Sequence, residues 1–192
     1  MLLLRRNQSP AAHGLSSKTG LTLIDLVIAT TVMVIGALGA VGTIQTTTAL
    51  SQSTRETTTG YQACRAMLES LQAEPFDNVF RRFNSDEADD PIGSLLPAPG
   101  DGFQVAGMNL QALDADGLVG RMFFPMDDFG VLREDINDPS LGMPRDLNGD
   151  GIIDGDNRIN DYILLPVRVR AEWSGNTGDR FVEFTTLLSK RR

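Results

Sequence analysis

Residues 21 to 44 read LTLIDLVIATTVMVIGALGAVGTI, and Asp25 is the only charged side chain among them. As a helix rising about 1.5 Å per residue, this run is long enough to cross a hydrocarbon core of about 30 Å. A charge inside that core costs roughly 2.5 to 3.5 kcal/mol on insertion scales, so an acid kept there calls for a compensating partner and a function. Upstream stand Arg5, Arg6 and Lys18 with no acidic residue. Short basic flanks stay on the cytoplasmic side, so the pattern predicts a single-pass segment with its N-terminus inside and the remainder exported.

Three kinds of segment share this composition. A secretory signal peptide has an apolar region of about 7 to 15 residues and a small-residue cut site, which GALGA at 36–40 would supply. The run is longer than that, and such a peptide leaves Asp25 unexplained. A plain signal anchor fits the length and the flanks but gives no reason to keep an acid. The third kind explains it. The stretch KTGLTLIDLVIA, residues 18–29, resembles the N-terminal signature of type IV pilins and of the pseudopilins of type II secretion. The resemblance implies that Gly20 precedes the cleavage site of a prepilin peptidase and that Leu21 becomes an N-methylated mature N-terminus. It also places Asp25, fifth residue of the mature chain, where the family carries glutamate. The family usually has Phe after the cut, where this chain has Leu21. Cleavage would create a cationic amine at Leu21, and an opposite charge in a low-dielectric setting favours the ionised carboxylate and offsets its desolvation. In these filaments the acid meets the amine of a neighbouring subunit, so the pair would also set register. Implied with the family are an inner-membrane location, a periplasmic head and partnership with other pilin or pseudopilin subunits.

Four regions follow from this reading: a leader over 1–20, a transmembrane helix over 21–44, a helical continuation over 45–74 and an exported head over 75–192. The stretch TIQTTTALSQSTRETTT, residues 43–59, is a weak helix former, because threonine is β-branched and stiff at χ1. Helical spacing of apolar residues returns at Tyr61, Cys64, Leu68 and Leu71, and Pro75 stops it. One long helix is expected, loosened around Gly60. Residues 84–102 are rich in Pro, Gly, Asp and Ser and read as a loop; its acidic cluster of Asp86, Glu87, Asp89 and Asp90 reads as a solvated face. Short strands are expected in GFQVAG, GLVGRMFFP and FGVLRED. The strongest is DYILLPVRVRAEW, residues 161–173, which puts Ile163, Leu165, Val167, Val169, Ala171 and Trp173 on one face. Pro166 belongs near a strand end or an edge, since it donates no ladder bond. Arg168 and Arg170 lie on the other face, as a docking patch or as its cover. SGNTGD and RFVEFTTLL then read as a turn and a returning hairpin arm. A long helix followed by antiparallel strands is an α+β fold.

One constellation carries chemistry. DLNGDGIIDGDN, residues 146–157, places Asp146, Asn148, Asp150 and Asp154 at the first, third, fifth and ninth positions of a calcium loop. Gly151 falls at the sixth and the Ile152 carbonyl at the seventh. The twelfth, which calls for a bidentate carboxylate, is Asn157, with Asp156 just before it as the last expected donor and Asp161 beyond. Over these residues the loop resembles dockerin and EF-hand calcium loops, without a second copy or a flanking helix pair. Structural Ca2+ is expected there, the alternative being a turn built from Asp, Asn and Gly.

The remaining composition excludes more than it assigns. A net charge of -8 argues against a nucleic-acid surface. Cys64, the only cysteine, makes no disulfide within one chain and reads as a buried thiol. The only histidine, His13, lies in the leader, which leaves the mature chain without an imidazole base. There is no GxxxxGK loop, so energy for assembly would come from a separate ATPase. The expected function is that of a structural subunit, a minor pilin or pseudopilin, and not of an enzyme. The alternative is a signal-anchored calcium-dependent binding or enzymatic domain.

Overall fold

The computed structural model describes residues 22–91, 98–110, 117–175 and 178–190. Helix α1 runs unbroken over Leu23–Ala73. The threonine-rich middle does not interrupt it. Thr54, Thr57, Thr58 and Thr59 each donate a hydroxyl to the carbonyl four residues earlier, at 2.8 to 3.0 Å. Their polar atoms are thus satisfied within the helix, which offsets the weak propensity of a β-branched run.

By its internal contacts the chain divides into Met1–Thr46 and Thr47–Arg192. Of the first unit the structure describes only the opening part of α1. All its described side chains are exposed, including Ile24, Val32, Ile35 and Leu38. Among the described residues α1 is the one helix long and apolar enough to cross a membrane. Leu23 to Ile44 spans roughly 33 Å, slightly more than a hydrocarbon core.

The second unit is a head built on one sheet. Helix α2, Phe76–Phe83, follows Pro75 and buries Val79, Phe80 and Phe83 at helical spacing. Strands β1 (Gly102–Phe103), β2 (Gly120–Phe123), β3 (Leu164–Gly175) and β4 (Gly178–Ser189) form an antiparallel sheet in the order β1-β2-β3-β4. The β3–β4 hairpin is in register from Leu164↔Ser189 to Gly175↔Gly178, with the turn tip 176–177 outside the described residues. Leu165, Val167, Val169, Ala171 and Trp173 are buried on one face of β3, as the alternation predicts. Ile163 precedes the strand and is exposed. Pro166 is paired to β4 alone, because β2 begins its pairing at Arg168.

The apolar face of β3 joins Cys64 and Leu71 of α1 and the α2 residues in one core. Each such side chain contributes about 1.5 to 3 kcal/mol by leaving water. Phe80 meets Phe124 edge to face, with ring centroids 5.5 Å apart. Gly60 is buried as well, and a Cβ built there falls 3.0 Å from Trp173 Cζ3. The glycine admits the indole and does not loosen the helix. Tyr61, placed on the stripe by its spacing, is half exposed, whereas Cys64 and Leu71 are fully covered.

Two strand expectations are shortened. GFQVAG pairs only over Gly102–Phe103, and GLVGRMFFP only over Gly120–Phe123. A third fails: within FGVLRED a lone bridge joins Leu132 to Met126. Beside that bridge Arg133 N–H donates to the Pro125 carbonyl at 2.9 Å and the Val131 carbonyl accepts from Asp127 N–H at 3.0 Å, a local turn that does not join the sheet. The Leu132 carbonyl accepts from Arg158 N–H at 2.9 Å and the Glu134 carbonyl from Arg145 N–H at 3.1 Å, so the segment serves the following loop instead of the sheet.

Candidate functional site

Asp25 stands at the third position of α1, with Thr22 as the residue before the helix. Thr22 Oγ1 donates to Asp25 Oδ2 at 2.5 Å, and Thr22 N–H donates to the same oxygen at 3.2 Å. In return Asp25 N–H donates to Thr22 Oγ1 at 3.3 Å. This is a reciprocal capping box, with Asp in place of the usual Glu or Gln, and it satisfies amides that the first helical turn leaves without partners. The carboxylate also faces the positive end of the helix dipole. Part of the compensation that Asp25 requires is therefore built into its own chain. The signal was readable as Thr-x-x-Asp before an apolar run. Gly20 and Leu21, the expected processing positions, and His13 lie outside the described residues.

In the acidic loop, Asp146 accepts N–H bonds from Gly149 at 2.6 Å and Gly151 at 2.8 Å. Both glycines have positive φ, 81° and 85°, as these tight turns require. Asp150 N–H donates to Asn148 Oδ1 at 3.0 Å, Ile152 N–H to Asp150 Oδ1 at 2.8 Å, and Asp156 N–H to Asp154 Oδ1 at 2.9 Å. The Asn148 amide reaches Asp150 Oδ2 at 3.0 Å and Asp161 Oδ2 at 3.2 Å. Asn148 and Ile152 donate to Asp150 and hold its carboxyl below the usual carboxylate value.

Two residues that the spacing did not reveal organise this loop. Arg158, 7% exposed, directs Nη2 to Asp154 Oδ1 at 2.6 Å and to Asp150 Oδ2 at 3.9 Å. Its Nη1 lies 3.3 Å from Asp161 Oδ2 and its Nε 3.4 Å from Glu134 Oε2. Burial works against the guanidinium charge, and the carboxylates of Glu134, Asp154, Asp161 and Asp150 outweigh it, holding Arg158 above its ordinary value. Glu134, 0% exposed, accepts from Leu147 N–H at 2.7 Å and Asn148 N–H at 3.2 Å. It clamps the root of the loop. The sequence signal was a lone arginine within an acidic stretch.

Among the described residues no group of three or more His, Cys, Asp or Glu side chains is placed to hold a metal ion. The donors are nonetheless all oxygen, the chemistry a hard cation prefers. The side chains of Ile152 and Asp156 are exposed.

Other residues have structural roles. Cys64 is 0% exposed, and burial pushes its thiol from 9.0 up to about 11, far from reactive. Asp86 caps the short 3-10 turn Glu87–Asp89 through Ala88 N–H, and Asp89 accepts from the buried Asn84 amide at 2.9 Å. Arg168 lies over the Phe123 ring at 4.5 Å and pairs with Asp138 at 3.7 Å. Arg170 lies over Phe181 at 4.3 Å and pairs with Glu183 at 3.7 Å. Both arginines are engaged in covering the outer sheet face. No family model, curated protein or solved structure matches this chain.

Proposed function

We propose that the chain is a minor structural subunit of a type IV pilus or a type II secretion pseudopilus, cleaved after Gly20 and assembled through its N-terminal helix. In this reading the head lies in the periplasm, the N-terminus is cytoplasmic before processing, and the segment 21–44 rests in the inner membrane until the subunit joins a filament. The observation that carries it is an apolar helix, exposed on all sides and bearing one acid at its first turn. Such a surface needs lipid or other helices around it. The partners are then other pilin or pseudopilin subunits and, once, the prepilin peptidase. Asp146, Asn148, Asp150, the Ile152 carbonyl, Asp154 and Asp156 would hold Ca2+, which would neutralise the carboxylates and brace the loop without taking part in any reaction.

Two measurements test the assembly reading. Peptide mass spectrometry of the protein from its own membranes is expected to find a mature chain starting at Leu21 with an added methyl group. Asp25→Ala is expected to insert in the membrane as well as the wild type and to lose co-purification with other pilin-like subunits. Thr22→Ala separates the roles of the acid: it removes the cap, worth about 1 kcal/mol, and leaves the carboxylate for a neighbouring amine. Assembly by Asp25→Ala at wild-type level would remove the role given to the acid. A chain still starting at Met1 would favour the anchored calcium-dependent domain.

A further inference from the structure

We infer that the free edge of β4 takes up an extended, basic and apolar segment of another protein as an added strand. β4 is the outermost strand on its side of the sheet and pairs with β3 alone. Its phase follows from bonds just outside the ladders. Glu172 N–H donates to the Val119 carbonyl, next to β2, whereas the Ile163 carbonyl accepts from Lys190 N–H. Odd-numbered β3 residues therefore bond β4, and through the register their partners are the even-numbered residues from Arg180 to Leu188. The amides and carbonyls of Asp179, Phe181, Glu183, Thr185, Leu187 and Ser189 point the other way, and none has a backbone partner among the described residues. Elsewhere the sheet blunts its edges. β1 is two residues long, and where β3 runs beyond β2 the unpaired edge carries Pro166, which has no N–H to offer. β4 has no such guard: Gly178–Ser189 contains no proline, and its register is unbroken. Water satisfies such groups singly, but only another backbone matches their repeat.

Side chains decide which strand fits. The outer row of β4 holds two acids, Asp179 and Glu183, and no base, with the exposed Phe181 and Leu187 between and beyond them. Glu183 is shared with Arg170 at 3.7 Å, an exposed pair of little strength. Opposite charges facing each other across two strands stabilise and like charges destabilise, so the segment carries Lys or Arg opposite the acids and apolar residues opposite Phe181 and Leu187. A second copy would bring the same acids. At its far end β4 borders a cleft of about 590 Å³ whose apolar lining is Leu71, Phe76, Val79, Leu187 and Leu188. Leu187 and Leu188 point to opposite faces, so the cleft meets the strand edge-on, where apolar side chains of an added strand would enter. The inference does not depend on the filament reading.

The test uses the full chain in detergent and a short capped peptide that alternates Lys and Val, with a Glu and Val peptide of the same length beside it. Fluorescence anisotropy of the labelled peptides reads binding, and hydrogen–deuterium exchange of the chain reads where they bind. The Lys peptide is expected to bind at least about tenfold tighter than the Glu peptide and to slow exchange at the amides of Phe181, Glu183, Thr185 and Leu187. Thr185→Pro removes one outward N–H and the hydroxyl bond to Ser140, but no ladder bond, so it is expected to melt close to the wild type and to lose the peptide. A net charge of -8 attracts any cationic peptide, and this variant separates that attraction from strand addition because it leaves every charge in place. Unchanged binding by Thr185→Pro, or protection away from β4, would overturn the edge as the site. Equal affinity for the two peptides would remove the charge match. A dimeric wild type beside a monomeric Thr185→Pro in sedimentation would assign the edge to a second copy instead. Where Thr185→Pro does not fold, Asp179→Lys combined with Glu183→Lys decides: the ratio of the two affinities is expected to fall by at least about tenfold, and an unchanged ratio would sink the proposal.

Discussion

Leu38 and Leu71 sit in the same unbroken helix, yet the first is 68% exposed and the second 0%. From Leu23 to Ile44 apolar residues occupy every side of α1, whereas beyond Gly60 they keep to the side that the head covers. The difference teaches that one regular backbone can present two kinds of surface. Where apolar residues surround a helix its partner is lipid or other helices, and where they form a stripe its partner is the chain itself.

Substitutions in the two halves should differ sharply in what they cost the head. Leu71→Ala leaves a cavity in the head and is expected to cost about 2 to 5 kcal/mol in denaturant unfolding. Gly60→Val forces a side chain against Trp173 and is expected to cost about 2 kcal/mol by the same measurement, with the indole fluorescence altered. A head as stable as the wild type would mean that the close approach at Gly60 is not needed.

The pH dependence is a smaller effect, confined to the covered half. The folded head keeps the Cys64 thiol protonated up to about 11, against 9.0 ordinarily. A raised value of this kind contributes stability that is intact below pH 9.0 and is lost as pH climbs to about 11. Unfolding free energies at about pH 8 and about pH 10.5 should therefore fall more in the wild type than in Cys64→Ala. Equal slopes would show that the thiol does not carry the difference. Smallest of all, Leu38→Ala is expected to change head stability by less than about 0.5 kcal/mol, since the residue is exposed and belongs to the other unit. A cost comparable to that of Leu71→Ala would break the contrast between the halves.

Much of this contrast was legible in the chain. Strict alternation from Leu165 to Trp173 gave both the strand and its buried face, because a pleat has only two sides. The stripe at Cys64 and Leu71 gave the helix and its covered side. What escaped depended on partners distant in sequence. FGVLRED has the composition of a strand, but its Leu132 and Glu134 carbonyls are claimed by Arg158 and Arg145, and no local pattern announces such a claim. Helix α2 was missed because FDNVFRRF is too short for its period to stand out after Pro75. In the loop, the carboxylates were visible from their spacing and their cation was not. A lone arginine among acids reads as surface charge, and the burial of Arg158 depends on Glu134 in another segment. Gly60 was read as a weak point because a glycine's use for close packing appears only with the indole beside it.

The contact between Cys64 and Val182 spans 118 positions, since the Val182 carbonyl lies 3.8 Å from the thiol sulfur. The covering of α1 is consequently a late event in the life of the chain. A ribosome makes the helix first and the strands that shield it last, and closing so long a loop is slow compared with forming the helix. Until the β3–β4 hairpin has been made, a growing chain lacks most of what covers the second half of α1.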